Sequence, residues 1–159
     1  MNVINIHQRV IPAPVSNILP LIHTLASKED RVWPKEQWPK MQFKDGLKIG
    51  SKGGHGPVRY TISSMADDGS IEFEFSKPNG FLGSHKFELK AINDTATEIK
   101  HTIAMRTNLW GSIQWLLAIR SLHDALLEDC FDKIENQFSE QKKKTSWSLW
   151  VRMLRLALK

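Results

Sequence analysis

Between Gly53 and Arg106 the chain alternates apolar and polar residues in four runs, Val58-Tyr60-Ile62, Ile71-Phe73-Phe75, His85-Phe87-Leu89 and Ile99-His101-Ile103-Met105. Their polar partners are Arg59, Glu72, Glu74, Lys86, Glu88, Glu98 and Lys100. A period of two gives each strand one wet and one buried face. The connections Asp67-Asp68-Gly69, Lys77-Pro78-Asn79-Gly80 and Asn93-Asp94 are short turn chemistries, so the strands are expected to be sequential antiparallel neighbours. Directly after them, Leu109 to Phe138 places Leu109, Ile113, Leu116, Ile119, Leu127, Cys130, Phe131, Ile134 and Phe138 on one broad helical stripe. Sheet and helix each need a partner for their apolar face, which predicts an α+β architecture. In it a curved antiparallel sheet of about six strands grips a long C-terminal helix and tends to enclose a cavity.

Upstream, Val3 to Ile11 is rich in β-branched residues and ends at Pro12-Ala13-Pro14, which suits a first strand. Val15, Ile18, Ile22 and Leu25 then recur at helical steps, with Pro20 predicting a kink or early break. Residues 27–40 read as a second short helix or a wrapped segment whose Trp33 and Trp38 cover one end of the core. Lys44-Asp45-Gly46 signals a turn, and Leu47 to Gly50 a short strand before the glycines at 50, 53, 54 and 56.

At 159 residues the chain fits one domain, which could bury roughly 68–70% of its unfolded surface. Cys130 is a single cysteine on the apolar stripe, which rules out an internal disulfide and fits a reducing compartment. The start of the chain lacks a basic region followed by an apolar run, and no apolar stretch is long enough to span a bilayer. A cytoplasmic location is expected, peripheral to a membrane if the tail described below meets lipid.

Residues 1–139 resemble the START/Bet v 1-like (SRPBCC) superfamily, specifically its bacterial polyketide cyclase/dehydrase and lipid-transport group. The resemblance rests on the opening strand with Pro12-Ala13-Pro14 and on Gly53-Gly54-His55-Gly56-Pro57-Val58-Arg59-Tyr60. It rests also on Gly80-Phe81-Leu82-Gly83-Ser84-His85-Lys86-Phe87-Glu88 and Leu122-His123-Asp124-Ala125-Leu126-Leu127-Glu128-Asp129. It implies a helix-grip domain over 1–139 and leaves 140–159 outside as a separate tail. It implies no mechanism, because such folds host carriers and enzymes alike.

Four polar residues fall on faces the alternation turns inward: His85 and His101 on neighbouring strands, Arg120 and His123 on the helix. A turn near 93–96 sets His85 and His101 diagonal or one pair apart, and Arg120 and His123 share a helix face at a spacing of three. Apolar walls with a few convergent polar groups describe a small-molecule site. The expected ligand-binding set is therefore Tyr60, Phe73, Phe75, His85, Phe87, His101, Ile103, Leu116, Arg120 and His123, with a small hydrophobic molecule such as a lipid or polyketide-like compound as partner. An alternative is a cyclase- or hydrolase-type enzyme using the cavity His and Arg residues as general acid and base. Each of the four is otherwise a residue hydrogen-bonded to backbone or water, or, for Arg120, one paired with a strand glutamate at the rim.

Several chemistries find no support. Adjacent helical residues point about 100° apart, so His123-Asp124 is not a dyad. No serine or cysteine is placed beside a histidine as a nucleophile. The six histidines show no zinc-type spacing, so no metal is expected. The glycine segment 50–56 lacks a phosphate-loop ending and reads as a turn over the cavity mouth, so no cofactor is expected either.

The charge is lopsided. The chain has 22 Lys and Arg against 17 Asp and Glu, yet residues 1–141 carry 16 positive and 17 negative side chains. The excess sits in the tail, so the globular part shows no footprint for nucleic acid. In the tail Ser148, Arg152, Arg155 and Lys159 gather on one arc of a helix, opposite Trp147, Trp150, Val151, Leu154 and Leu158. That composition suits an interfacial helix, with Trp147, Trp150, Arg152, Leu154 and Arg155 as a membrane or partner surface. Packing on its own domain or on a second copy would use the same face.

Overall fold

The computed structural model describes residues 1–157 of the chain; Leu158 and Lys159 of the expected tail helix lie outside the described residues. Seven strands form one antiparallel sheet: β1 (Asn2–Ile11), β2 (Gln42–Phe43), β3 (Lys52–His55), β4 (Val58–Met65), β5 (Ile71–Lys77), β6 (Phe81–Asn93) and β7 (Ala96–Thr107). Their order is β1-β7-β6-β5-β4-β3-β2, so every pair but β1–β7 is sequential, as the turn chemistries predict. Irregular register between β4 and β5 at Arg59/Tyr60 and Ile62/Ser64 adds twist, which helps the sheet curl around what it grips.

The helices are α1 (Val15–Ile22), a C-terminal run made of α2 (Leu109–Gln114) and α3 (Arg120–Glu135), and α4 (Leu149–Ala157). Residues Trp115–Ile119 join α2 to α3 as a π-helical segment. The helix α1 starts after Pro14 and stops two residues beyond Pro20, so the early break expected at that proline is real.

Three details depart from expectation, and one settles a choice the sequence left open. Residues 47–50 form bends and turns rather than a strand; the short strand is β2, which pairs Gln42 with Gly54 and Phe43 with Gly53. Gly53 and Gly54 accordingly lie inside β3 rather than in a loop, and only Gly56 occupies the turn toward β4. A Cβ on Gly54, whose φ is +151°, would stand 2.0 Å from the carbonyl oxygen of Val58, so glycine is required by the close approach of β4. Residues 27–40 are wrapped without a helix, organised by Asp30, whose carboxylate accepts from the backbone amides of Ala26, Val32 and Trp33.

The last departure concerns the long helix. A continuous α-helix would carry Leu109, Ile113 and Leu116 inward, yet all three are exposed, Leu116 at 56%. The π segment inserts an extra residue and rotates the first turns relative to α3. Trp115, 3% exposed, takes the inward position instead.

Two clusters of buried apolar side chains result. The larger joins α1, Trp33, Trp38, strand residues such as Tyr60, Phe73 and Phe87, and Leu126, Leu127, Cys130, Phe131 and Ile134 of α3. The smaller comprises Val3, Phe81, Ile103, Met105 and Trp115. Both contribute walls to a single space between sheet and helix.

Candidate functional site

Two rungs of the sheet form the floor of this space. Residues paired across antiparallel strands share a face, so His85 of β6 sits between Phe73 of β5 and Ile103 of β7. On the next rung His101 of β7 sits between Phe87 of β6 and His7 of β1. His85 and His101 are thus diagonal neighbours, and Nδ1 of His85 lies 3.0 Å from Nε2 of His101. Only one proton is shared in that bond, so one ring donates and the other accepts.

The roof is the inner face of Trp115–Leu127, from which His123 descends until its ring centroid is 5.0 Å from that of His101. Between floor and roof lies a cavity of about 380 Å³. Its walls are predominantly apolar: Phe75, Phe81, Phe87, Ile103, Trp115, Ile119 and Leu122, with Trp33, Trp38, Pro39 and the β3–β4 turn at the rim.

The buried imidazoles are neutral. Burial holds His85 and His101 well below the ordinary value, with mutual repulsion among the histidines adding to it. His123 is lowered by burial against the opposing pull of Asp124, and His55, packed 4.7 Å from Trp33, falls to about 3 for the same reason. Nε2 of His85, Nδ1 of His101 and both nitrogens of His123 are buried with no hydrogen-bond partner in the protein, an oxygen of Asp124 standing 3.6 Å from Nδ1 of His123. Neutral rings of this kind can donate to or accept from a ligand hydroxyl or carbonyl.

Behind the roof runs a polar network absent from the sequence expectations. The inward row of β1 is Asn5, His7 and Arg9, and it meets Asp124, Glu128 and Asp132 of α3, spaced four apart on one helix face. His7 lies 3.0 Å from Asp124 and 3.1 Å from Glu128; the bond to Asp124 raises its pKa, burial opposes, and Glu128 raises it further. Burial alone would raise Asp124, yet the imidazoles of His123 and His7 carry it well below the usual carboxylate range. His7, His123 and Asp124 offer ligand atoms within 4.8 Å of one another, a spacing a metal would tolerate. Both ring nitrogens of His7 are already engaged by Asp124 and Glu128, so the cluster is satisfied within the protein.

The tail closes one side. Trp38 and Trp147 donate their indole N–H groups to the same oxygen of Asp129, at 2.6 and 2.9 Å, and their rings meet edge to face. Val151 is buried in the larger core cluster, and Trp150 donates to the carbonyl of Leu117. Arg155 lies over both Trp38 and Trp147 and lines the cavity.

No family model matches the sequence, and no curated protein is significantly similar to it. Solved structures do match in shape. A protein from Nitrosospira multiformis superposes with a TM-score of 0.67 at 11% identity, over 87% of this chain and 97% of that one. Norcoclaurine synthase from Thalictrum flavum, solved with dopamine and hydroxybenzaldehyde, gives 0.67 at 12%, over 91% and 90%. A START superfamily protein from Mycobacterium smegmatis gives 0.58 at 11%, over 86% and 97%. The chain has the START/Bet v 1-like, helix-grip fold. At such identities the likeness is one of fold and carries no activity with it.

Within this helix-grip frame, Phe75, His85, Phe87, His101, Ile103 and His123 of the expected set line the cavity. Tyr60 and Phe73 stand behind it, packed against His85 at centroid distances of 4.8 and 4.7 Å. Two expectations are corrected. Leu116 faces outward because of the π segment, and Arg120, 59% exposed, points away from the cavity toward Asp124 at 3.8 Å. In the tail, Trp147, Leu154 and Arg155 are partly covered by the domain, while Trp150 and Arg152 are exposed. Arg155 was expected on the basic outer arc; its guanidinium instead turns inward onto two indoles, which attract a cation and cover its stem. Sequence reasoning also passed over His55 and Trp115, although the first sits in the glycine segment quoted above and the second beside the expected Leu116.

Proposed function

We propose that the chain binds a small hydrophobic molecule, a lipid or polyketide-like compound, in the cavity between the sheet and α3. One observation carries this reading: an apolar cavity of about 380 Å³ in which three neutral histidines present nitrogens without protein partners. A fold optimised only for stability fills such a space, since voids and unpaired polar groups are both costly. The ligand's apolar body would lie against Phe75, Phe87 and Ile103, and a hydroxyl or carbonyl would reach His101 and His123. Native mass spectrometry of protein purified from its host tests the reading by a retained small-molecule mass. His101→Ala is expected to weaken binding of that compound by about 1–3 kcal/mol. Protein without any retained mass, and without affinity for extracted host lipids, would count against the proposal.

A second observation favours an anionic membrane surface as the place where ligand is exchanged. Leu109, Trp110, Leu116 and Leu117 on the C-terminal helix and Leu149, Met153 and Leu156 on α4 are exposed, and the bond from Trp150 to Leu117 joins the two helices. Residues 142–157 contain no acid, and Lys142, Lys144 and Arg152 are exposed among them. An apolar face bordered by basic residues suits anionic headgroups, each Lys or Arg adding about 1 kcal/mol near the surface. Co-sedimentation with anionic vesicles that falls as salt is raised supports this; equal indifference to anionic and neutral vesicles refutes it.

A further inference from the structure

Arg155 is in an unusual position for a tail residue. Its guanidinium is 4.5 Å from the centroid of Trp38 and 4.0 Å from that of Trp147, so two indoles fix its plane. It donates to the carbonyl of Gln37 through one terminal nitrogen. The other terminal nitrogen is buried with no protein partner, and the side chain borders the cavity. The α4 backbone has little freedom to move it elsewhere, because Val151 is locked into the core one turn earlier.

The remaining lining of the cavity contains no Asp, Glu or Lys. Its histidines are neutral for the reasons given above. Arg155 is therefore the one formal charge on the cavity lining among the described residues. No carboxylate lies within ion-pair distance of it among those residues, and the nearest acid across the indoles, Asp129, already accepts both indole N–H groups. A guanidinium N–H removed from water without an acceptor is costly, and its natural complement is an oxyanion. The volume, about 380 Å³, is at the small end for ligand cavities and suits a single-chain molecule.

We propose that the ligand is a single-chain anionic amphiphile whose carboxylate is held at the cavity mouth by Arg155, while its apolar chain fills the space between sheet and helix. This rests on the binding reading above and adds to it the charge of the ligand and the residue that reads it. It also gives the tail a role in recognition, since the one charged contact comes from outside residues 1–139.

The test is isothermal titration of the full-length protein with three probes that share one chain: dodecanoate, dodecanol and dodecyltrimethylammonium. Wild-type protein is expected to bind dodecanoate about tenfold or more tighter than dodecanol, with the cation weakest. Arg155→Met should erase that preference while leaving dodecanol within about twofold, and Arg155→Lys should retain part of it. Equal binding of dodecanoate and dodecanol by wild-type protein overturns the proposal and leaves the binding reading standing. Equal weakening of both probes by Arg155→Met also overturns it, by showing that the residue only anchors the tail. If none of the three binds, the single-chain proposal is overturned, and the retained-mass measurement decides the broader binding reading. Should Arg155→Met lose its near-ultraviolet dichroism, the wild-type ranking and the Arg155→Lys variant still decide.

Discussion

His85 and His101 share a single hydrogen bond in a site where neither ring can be charged without cost, and that makes the protein sensitive to acid. Both are folded with pKa values well below the unfolded value, so the unfolded chain takes up protons that the folded chain refuses. Their contribution is fully present above an unfolded pKa of about 6.5 and is lost as pH falls below it, at about 1.4 kcal/mol per pH unit for each ring. His7 runs the other way: its raised pKa stabilises the fold below about 6.5 and the benefit fades as pH rises through its folded value. Stability is therefore expected to peak near neutral pH and to fall on the acid side, because His55 and His123 are lowered by burial as well, while the contribution of His7 stays constant there. Urea denaturation at a series of pH values checks this, and His85→Phe should shallow the acid limb by one proton. An acid limb unchanged in that variant would show that His85 titrates normally in the fold. That His85 and His101 face inward was legible from alternation alone, since a period of two fixes the face of every residue in a strand once one is known. Their neutrality was not, because it depends on burial from both sheet and helix.

Among the elements, the strands were readable and the long helix was only half so. The four central strands have polar residues at every second position and turn residues between them, so face and order follow directly. The segment Trp115-Leu116-Leu117-Ala118-Ile119 is apolar all round, so periodicity does not say which residue faces inward, and a π insertion leaves no mark in such a run. Paired substitutions test the assignment. Leu116→Ser should change stability by less than about 0.5 kcal/mol, whereas Trp115→Ala should cost about 3 kcal/mol, both by chemical denaturation. The reverse ranking would restore the continuous α-helix. The network between β1 and α3 was written in the sequence as Asn5, His7, Arg9 and Asp124, Glu128, Asp132, but only knowledge that these distant elements touch makes it visible. Arg9 bridges Glu128, Asp132 and Glu135, and the last two are nearly inaccessible to water. Arg9→Met leaves those carboxylates buried without their central cation and should cost about 3 kcal/mol by denaturation. Lys100→Met, which removes one of the two partly exposed lysines paired with Glu88, should cost under about 1 kcal/mol.

At the scale of the whole molecule the question is whether residues 142–157 are an appendage or part of the wall. The sequence left both open, since an amphipathic helix has the same pattern whether its apolar face meets lipid, another copy or its own domain. Contacts of the described residues favour the wall: Val151 is buried in the core, Trp147 shares Asp129 with Trp38, and Lys143 pairs with Glu135 at 2.6 Å. Removing the tail would expose the apolar surface beneath Val151 and leave Asp129 with one indole donor instead of two. Burial of a valine is worth roughly 1.5–3 kcal/mol and a cation on an indole roughly 0.5–2 kcal/mol. Allowing for partial collapse of the exposed surface, a chain ending at Gln141 should lose about 3 kcal/mol. For a protein of this size that corresponds to a fall in Tm of roughly 6–12 °C. The same chain should release a bound amphiphile faster, because Arg155 and the helix over the mouth are gone. Differential scanning fluorimetry and stopped-flow displacement of a fluorescent fatty acid measure the two effects. A shortened protein that melts with the full-length one and releases ligand at the same rate would make the tail an appendage. If stability falls while the release rate stays fixed, the tail braces the domain without gating the cavity.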